Sequence, residues 1–345
     1  HVKIIALPSK WSTRTLLPRK TNAKHGWNPS ATAGRAPRFS LAQLPRHPIV
    51  KAASFDYVRA ESLDHALDLL HQHGYEAKLL AGGQSLVPMM AMRLARPAVL
   101  VDIHRVAALQ SVSASSQAVV TGAVVRQRTL EDAIELHAQI PLVAAALRWV
   151  GHGQTRNRGT VGGSLVHADP SAELPLAALV LEATLSLTSQ EEGERTVPAG
   201  AFFLGPKFTD TRDTECLTAI EWPVWAARGT GCAFDEIAIR HGDFAMASAA
   251  AQIRIDAAGV CRQAAFGLGG VDGVPRSFPE LARRLEGKRP DDGLLHELAE
   301  DAAAACEPGS DLHATAEYRR HLAAVLARRG LRQAAQSAAA SLGSV

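Results

Sequence analysis

The chain has 345 residues, 47% apolar and 21% charged, which gives room for two or three buried cores and excludes fibrous, low-complexity and wholly disordered classes. Its apolar runs stay short: residues 174–181 end at Glu182, far below the roughly 18–20 residues of a membrane span. The net charge of +3 conceals an asymmetry, since residues 1–54 carry ten Lys or Arg and no acid, leaving 27 basic against 34 acidic side chains beyond them; an acidic body argues against nucleic acid as a partner.

Residues 1–49 are rich in Pro, Ser, Thr and basic groups and lack the apolar core of a secretory signal. They read as a disordered basic extension: a transit peptide, a tag or leader, or the product of a start assigned too far upstream, with Val50 as the initiating residue. The last reading is preferred, because regular patterning begins abruptly at Val50. Residues 62–74 read as a helix, with Ser62 as N-cap, Leu63, Ala66, Leu67 and Leu70 on one face and Gly74 as the stop. A short buried strand at 77–81, a partly helical apolar stretch at 86–94 and a strand at 98–102 follow.

Residues 118–124 form a strand, Thr129 caps a helix reaching 136, and 141–150 is a helix with Pro141 in its first turn. Five glycines within 151–163 predict an irregular loop. Residues 174–181 are helical or buried, 183–188 alternate as a strand, and a strand at 215–222 is closed by Pro223. From 231 the texture changes. Strands at 233–240, 247–255 and 260–267 precede helices at 278–286, 294–305 and 315–336, an α+β body of its own. The four cysteines, Cys216, Cys232, Cys261 and Cys306, have neither C-x-x-C nor zinc-ligand spacing. No metal site is expected on this chain, and sparse thiols suit a reducing cytoplasm.

Two glycine pairs carry the chemistry. In Leu79-Leu80-Ala81-Gly82-Gly83-Gln84-Ser85-Leu86 a strand runs into a turn whose backbone can approach a ligand closely and whose successive N–H groups form an anion nest. In Gly159-Thr160-Val161-Gly162-Gly163-Ser164 a second set of N–H groups and small hydroxyls is on offer. Each alone is more simply a turn; together they can converge on one diphosphate. Neither has the Rossmann or Walker A spacing, so a dinucleotide would be held in another fold. His152 and His167 read as packing groups before acid–base catalysts, Asp243 as a turn-stabilising residue, and Trp149, Trp222 and Trp225 as core. Arg319, Arg320, Arg328 and Arg329 read as a solvated basic face at least as readily as a partner surface.

With His167-Ala168-Asp169-Pro170-Ser171-Ala172-Glu173-Leu174-Pro175 after them, the two motifs resemble the FAD-binding medium subunit of the molybdenum hydroxylases, the xanthine dehydrogenase and carbon monoxide dehydrogenase group. Four further stretches agree in order: Lys51 to Tyr57, Phe202-Phe203-Leu204-Gly205-Pro206 followed by residues 217–223, Arg240-His241-Gly242-Asp243-Phe244-Ala245, and Tyr318-Arg319-Arg320-His321-Leu322. The resemblance implies an α+β chain: a two-subdomain PCMH-type FAD-binding domain over 50–226 (subdomains about 50–105 and 106–226), then a smaller α+β domain over 230–336 with a three-stranded sheet plus helices. It implies that Leu79, Leu80, Ala81, Gly82, Gly83, Gln84, Ser85 and Leu86 wrap the FAD diphosphate. Thr160, Val161, Gly162, Gly163 and Ser164 would meet it from the other side. Glu173 would approach the adenosine half, where relatives often place an Asp, and Leu217 would pack near the flavin or adenine. Relatives with an aromatic at the place of Val150, or a Lys where Asp235 and Glu236 stand, make contacts that this chain lacks.

The resemblance further implies an oxidoreductase subunit with FAD in this chain, and a molybdenum–pterin centre and [2Fe–2S] clusters on partner subunits. The large molybdopterin-binding and small iron–sulfur subunits would form a heterotrimer, or a dimer of heterotrimers, with it. FAD would pass the clusters' electrons to NAD, a quinone or another acceptor, in the cytoplasm, with no catalytic side chain. A stand-alone flavin oxidoreductase would instead turn over alone, and a non-catalytic assembly subunit would lack FAD.

Overall fold

The first helix shows how local sequence sets the frame. α1 (Leu63–His73) begins where the Ser62 hydroxyl accepts the His65 N–H at 3.0 Å, and it ends at Gly74, whose φ of +51° suits glycine. Its buried residues Ala66, Leu67 and Leu70 face β1 (Asp56–Arg59), β2 (Ala77–Leu80) and β3 (Val99–Asp102), a parallel sheet of order β1-β3-β2. β3 is buried along its whole length, as a central parallel strand must be. Since the strands are parallel, Arg59, Leu80 and Asp102 end at one edge. The six-residue α2 (Leu86–Ala91) follows the glycine turn. These elements belong to the described residues, 51–225 and 228–343 of the computed structural model; the extension at 1–49 lies outside them.

A second sheet is antiparallel: β4 (Val112–Ala114), β5 (Ala118–Gly122), β6 (Thr184–Ser189), β7 (Gly193–Pro198) and β10 (Cys216–Pro223), in the order β4-β5-β10-β6-β7. Between β7 and β10 lie α9 (Ala199–Phe202) and a ribbon of β8 (Phe203–Gly205) and β9 (Phe208–Thr209). Leu185 and Leu187 on β6, and Ile220 and Trp222 on β10, point into one core shared with α5 (Pro141–Leu147) and α8 (Glu173–Val180). Trp222 is fully buried and satisfies its indole N–H on the Thr121 hydroxyl at 2.9 Å.

Two expectations for this region are corrected. Thr129 caps nothing. α3 (Gln127–Asp132) starts two residues earlier, because the Gln127 N–H is taken by the Gly159 carbonyl, and it breaks at Ala133 before α4 (Ile134–His137). Nor are residues 151–163 irregular: they contain α6 (Gly153–Arg158) and open α7 (Val161–His167). The glycines serve close packing there. A β-carbon on Gly162 would stand 2.6 Å from that of Ala123.

The third sheet is an antiparallel meander of β11 (Thr230–Ile237), β12 (Ala247–Ile255) and β13 (Cys261–Gly269), to which the two-residue β14 (Arg276–Ser277) adds a fourth strand not foreseen in the three-stranded expectation. α10 (Pro279–Arg283) and α11 (Asp292–Ala304) follow, and α12 (Ala316–Gly343) crosses β11 and β12. The crossing is close because small residues line it: a β-carbon on Gly231 would lie 2.1 Å from the Ala338 nitrogen and 2.4 Å from the Ala334 oxygen. Arg319 departs from the solvated face expected of it. It is 7% exposed, donates to the Met246 and Gly270 carbonyls at 2.6 and 3.0 Å, and pairs with Asp311 at 2.6 Å, tying α12 to the open end of the β12–β13 hairpin. Arg329 pairs with Asp235.

β11 also carries Glu236, buried, with Oε2 lacking a hydrogen-bond partner among the described residues. Burial, then the charges of Glu173 and Asp235, push its carboxyl up to about 8; burial above all lifts Glu173 to about 7. Unfolded glutamates titrate near 4.3, so the folded chain keeps protons that the unfolded chain has released, and stability falls as pH rises from about 5 to 8, then levels. Glu236→Gln is therefore expected to raise Tm at pH 8 relative to the parent and to leave it nearly unchanged at pH 5, as read by thermal unfolding in matched buffers.

Candidate functional site

The carboxyl edge of the parallel sheet opens onto a cleft of about 410 Å³, lined by Leu80, Ala81, Gly82, Gly83, Gln84, Val87, Pro88, Asp102, His104 and Arg158. Ligands of parallel sheets bind at this edge, beyond the strands' carboxyl ends. After β2 the chain turns through Gly83, whose φ of +74° suits glycine. Among the described residues, no hydrogen bond takes up the backbone N–H of Gly82, Gly83, Gln84 or Ser85. Such donors need a partner wherever water is excluded, and four in succession make an acceptor-seeking surface.

Gly82 is the contact point between the two glycine segments. A β-carbon there would lie 2.4 Å from the Arg158 oxygen and 2.9 Å from the Gly159 Cα. The same Arg158 carbonyl accepts from the Arg126 guanidinium. Burial first, and then the neighbouring Arg158 charge, lower the pKa of Arg126. Arg158 itself has no ion-pair partner among the described residues and lines the cleft.

The second motif supplies fewer free N–H groups than its composition suggests: from Val161 to Ser164 all are engaged. The Val161 and Gly162 N–H groups bond the Val125 and Ala123 carbonyls, both at 2.9 Å. That of Gly163 bonds the Thr160 hydroxyl at 3.1 Å, the helix cap, and that of Ser164 reaches the Thr160 carbonyl at 3.2 Å. These residues have become the first turn of α7, docked on the second sheet, so their donors are consumed. What the motif brings to the first one is absence of bulk, with Gly163 facing Ala81.

Two site residues were not legible in the sequence. Asp102 ends β3, is 4% exposed, and accepts three bonds: Tyr57 O–H at 2.5 Å, His104 N–H at 3.0 Å and His104 Nδ1 at 2.7 Å. Burial alone would raise its pKa; the bonds from Tyr57 and His104 together outweigh it and lower it. An acid at the carboxyl end of a predicted strand was the available signal.

The remaining candidates sit apart from the cleft lining. Leu79 and Leu86 flank the turn within β2 and α2. Glu173 opens α8, and Leu217 is buried in β10. His167 closes α7, and burial lowers its pKa. His152 stacks on His241, ring centroids 6.3 Å apart, and His241 stacks on Trp149 at 6.1 Å. Asp243 faces Arg240 at 3.5 Å instead of bonding a turn N–H. Among the described residues, no group of three or more His, Cys, Asp or Glu could hold a metal ion, and no helix is long and apolar enough to cross a membrane.

Comparison with known proteins adds to this geometry. Residues 53–225 match the family described as FAD binding domain in molybdopterin dehydrogenase, and residues 232–334 match the CO dehydrogenase flavoprotein C-terminal domain. The chain is 37% identical, over 83% of its length and 96% of the relative's, to the 6-hydroxypseudooxynicotine dehydrogenase complex subunit alpha of Paenarthrobacter nicotinovorans. It is 35% identical to the glyceraldehyde dehydrogenase medium chain of Sulfolobus acidocaldarius over 81% of its own length and 98% of that chain. The solved structure of carbon monoxide dehydrogenase from Hydrogenophaga pseudoflava, lacking the Mo-pyranopterin moiety, superposes with a TM-score of 0.79 at 35% identity, covering 82% of this chain and 98% of that one.

The backbone contact at Gly82 has a direct consequence. Gly82→Ala must separate the two segments, an overpacking cost of about 1–3 kcal/mol; the urea midpoint is expected to fall accordingly, whereas Gly200→Ala, where an added β-carbon meets nothing within 4 Å, should leave it nearly unchanged.

Proposed function

Because the chain belongs to the FAD-binding medium-subunit family of the molybdenum hydroxylases, we propose that it is the electron-transfer flavoprotein subunit of such a complex. It would receive electrons from the [2Fe–2S] clusters of a small subunit and deliver them to an external acceptor: NAD, a quinone or another. The relatives are named as medium chains or as subunits of dehydrogenase complexes. That supports a heterotrimer, or a dimer of heterotrimers, with a large molybdopterin-binding subunit. Oxidation of the complex's substrate belongs in this reading to the large subunit. Four unpaired cysteines support a cytoplasmic location.

The observation that carries the reading is the run of N–H groups from Gly82 to Ser85 that meets no acceptor among the described residues, set beside Arg158 at the carboxyl edge of β2 and β3. Those residues fit a dinucleotide diphosphate: the donors satisfy its oxygens, the glycines let it approach the main chain, and Arg158 neutralises charge. Bound FAD supplies the capacity to accept electrons singly and release them in pairs. The work of the chain is to bind, orient and shield it. Leu79 to Leu86 form the wrapping segment, and Thr160 to Ser164 form the rigid wall behind it. Glu173 and Leu217 are assigned to the half of the site beyond α7. The flavin domain spans 50–226 and the C-terminal domain 230–336.

The full chain, purified and denatured, is expected to release one equivalent of FAD; a folded, colourless chain that refuses added FAD contradicts the proposal. Arg158→Gln is expected to weaken FAD binding about tenfold, the worth of one charge-assisted contact. The difference should narrow in high salt, because the lost contact is between charges.

A further inference from the structure

Beyond the glycine turn, the cleft has a second wall. It is formed by Asp102 at the end of β3 and by His104 after it, with Tyr57 of β1 bonded to Asp102 behind them. Asp102 is the hub. Its Oδ2 accepts the tyrosine hydroxyl at 2.5 Å, and its Oδ1 accepts both the main-chain N–H of His104 and the ring Nδ1–H, at 3.0 and 2.7 Å. An ionised carboxylate is acceptor-only, so Nδ1 must carry the proton. With main chain and ring both tied to one carboxylate, the imidazole is fixed in orientation. Its side chain is 24% exposed, the residue lines the cleft, and Nε2 is the ring nitrogen without a bond to Asp102.

The main-chain donors and the cation at this cleft share one character. The N–H groups of Gly82 to Ser85 are donors without acceptors, and Arg158 is a cation without a counter-ion among the described residues. The only acid in the lining, Asp102, already accepts three bonds. A group entering between these walls must therefore bring acceptors and negative charge. We infer that His104 is a direct contact of the bound dinucleotide: on binding, the ring takes a second proton from solvent and, as an imidazolium, donates from Nε2 to a diphosphate oxygen opposite the glycine turn, with Asp102 and Tyr57 as its positioning residues.

The inference rests on FAD occupying this cleft, and its test separates the two claims. Calorimetry on the full chain, stripped of flavin, compares FAD, ADP (diphosphate without flavin) and riboflavin (flavin without phosphate). His104→Phe is expected to weaken FAD and ADP alike, by about tenfold, and to leave riboflavin unchanged. His104→Gln, which keeps a donor, should recover part of the loss; a purely structural ring would not be rescued in that way. Asp102→Asn and Tyr57→Phe should weaken FAD without altering riboflavin. In the unsubstituted chain labelled with 15N-histidine, FAD loading should move the Nε2 resonance of His104 into the protonated range while Nδ1 stays protonated. If FAD binds stoichiometrically but His104→Phe leaves its affinity unchanged, or weakens riboflavin equally, the role of His104 is overturned and the flavoprotein reading stands. If the parent chain takes up no FAD, both fall.

Discussion

The site depends on one close approach: main chain against main chain at Gly82, with the Arg158 carbonyl and the Gly159 Cα where any side chain would have to go. The turn after β2 can lie flat on the segment between α6 and α7 only because neither position has bulk. That contact joins the parallel sheet to the antiparallel one and places Arg158 in the cleft. In this turn the carbonyls are engaged, that of Gly83 by the Val87 N–H and that of Gly82 by the Gln84 amide, while the N–H groups of Gly82 to Ser85 meet no acceptor among the described residues.

The two glycine motifs look alike in sequence and do opposite things. The first, at the edge of a sheet, finds no acceptor for its N–H groups among the described residues. The second spends its own on the Val125 and Ala123 carbonyls and on the Thr160 cap. Composition cannot tell these cases apart, because the outcome turns on whether a neighbouring strand offers carbonyls at the right height. Much else was legible. The helix after Ser62 declared both ends, and β6 declared its buried face by strict alternation. β4 and β7 at the sheet edges were not read, being short or largely polar, with Val197 the sole buried residue of β7. Asp102 and His104 were missed for a related reason. Their importance comes from two parallel strands ending together, which no local pattern announces.

The C-terminal body relies on different physics. α12 lies so near β11 that glycine is required at position 231 and alanines face it. Arg319, buried among carbonyl oxygens and Asp311, fixes the helix start against the β12–β13 hairpin. A buried guanidinium is tolerated when its donors are satisfied, which is why an arginine read as surface proved to be internal. Glu236, by contrast, is buried without full satisfaction beside the first turn of α8, so that contact responds to protonation.

The most direct measurement is amide hydrogen exchange at Gly82, Gly83, Gln84 and Ser85, with and without FAD. These N–H groups meet no acceptor among the described residues, so in the free chain they should exchange rapidly and in the loaded chain become strongly protected, while Val161 and Gly162, already bonded, change little. FAD bound at one equivalent with the Gly82–Ser85 amides still exchanging freely would contradict the account, because the diphosphate would then be held elsewhere.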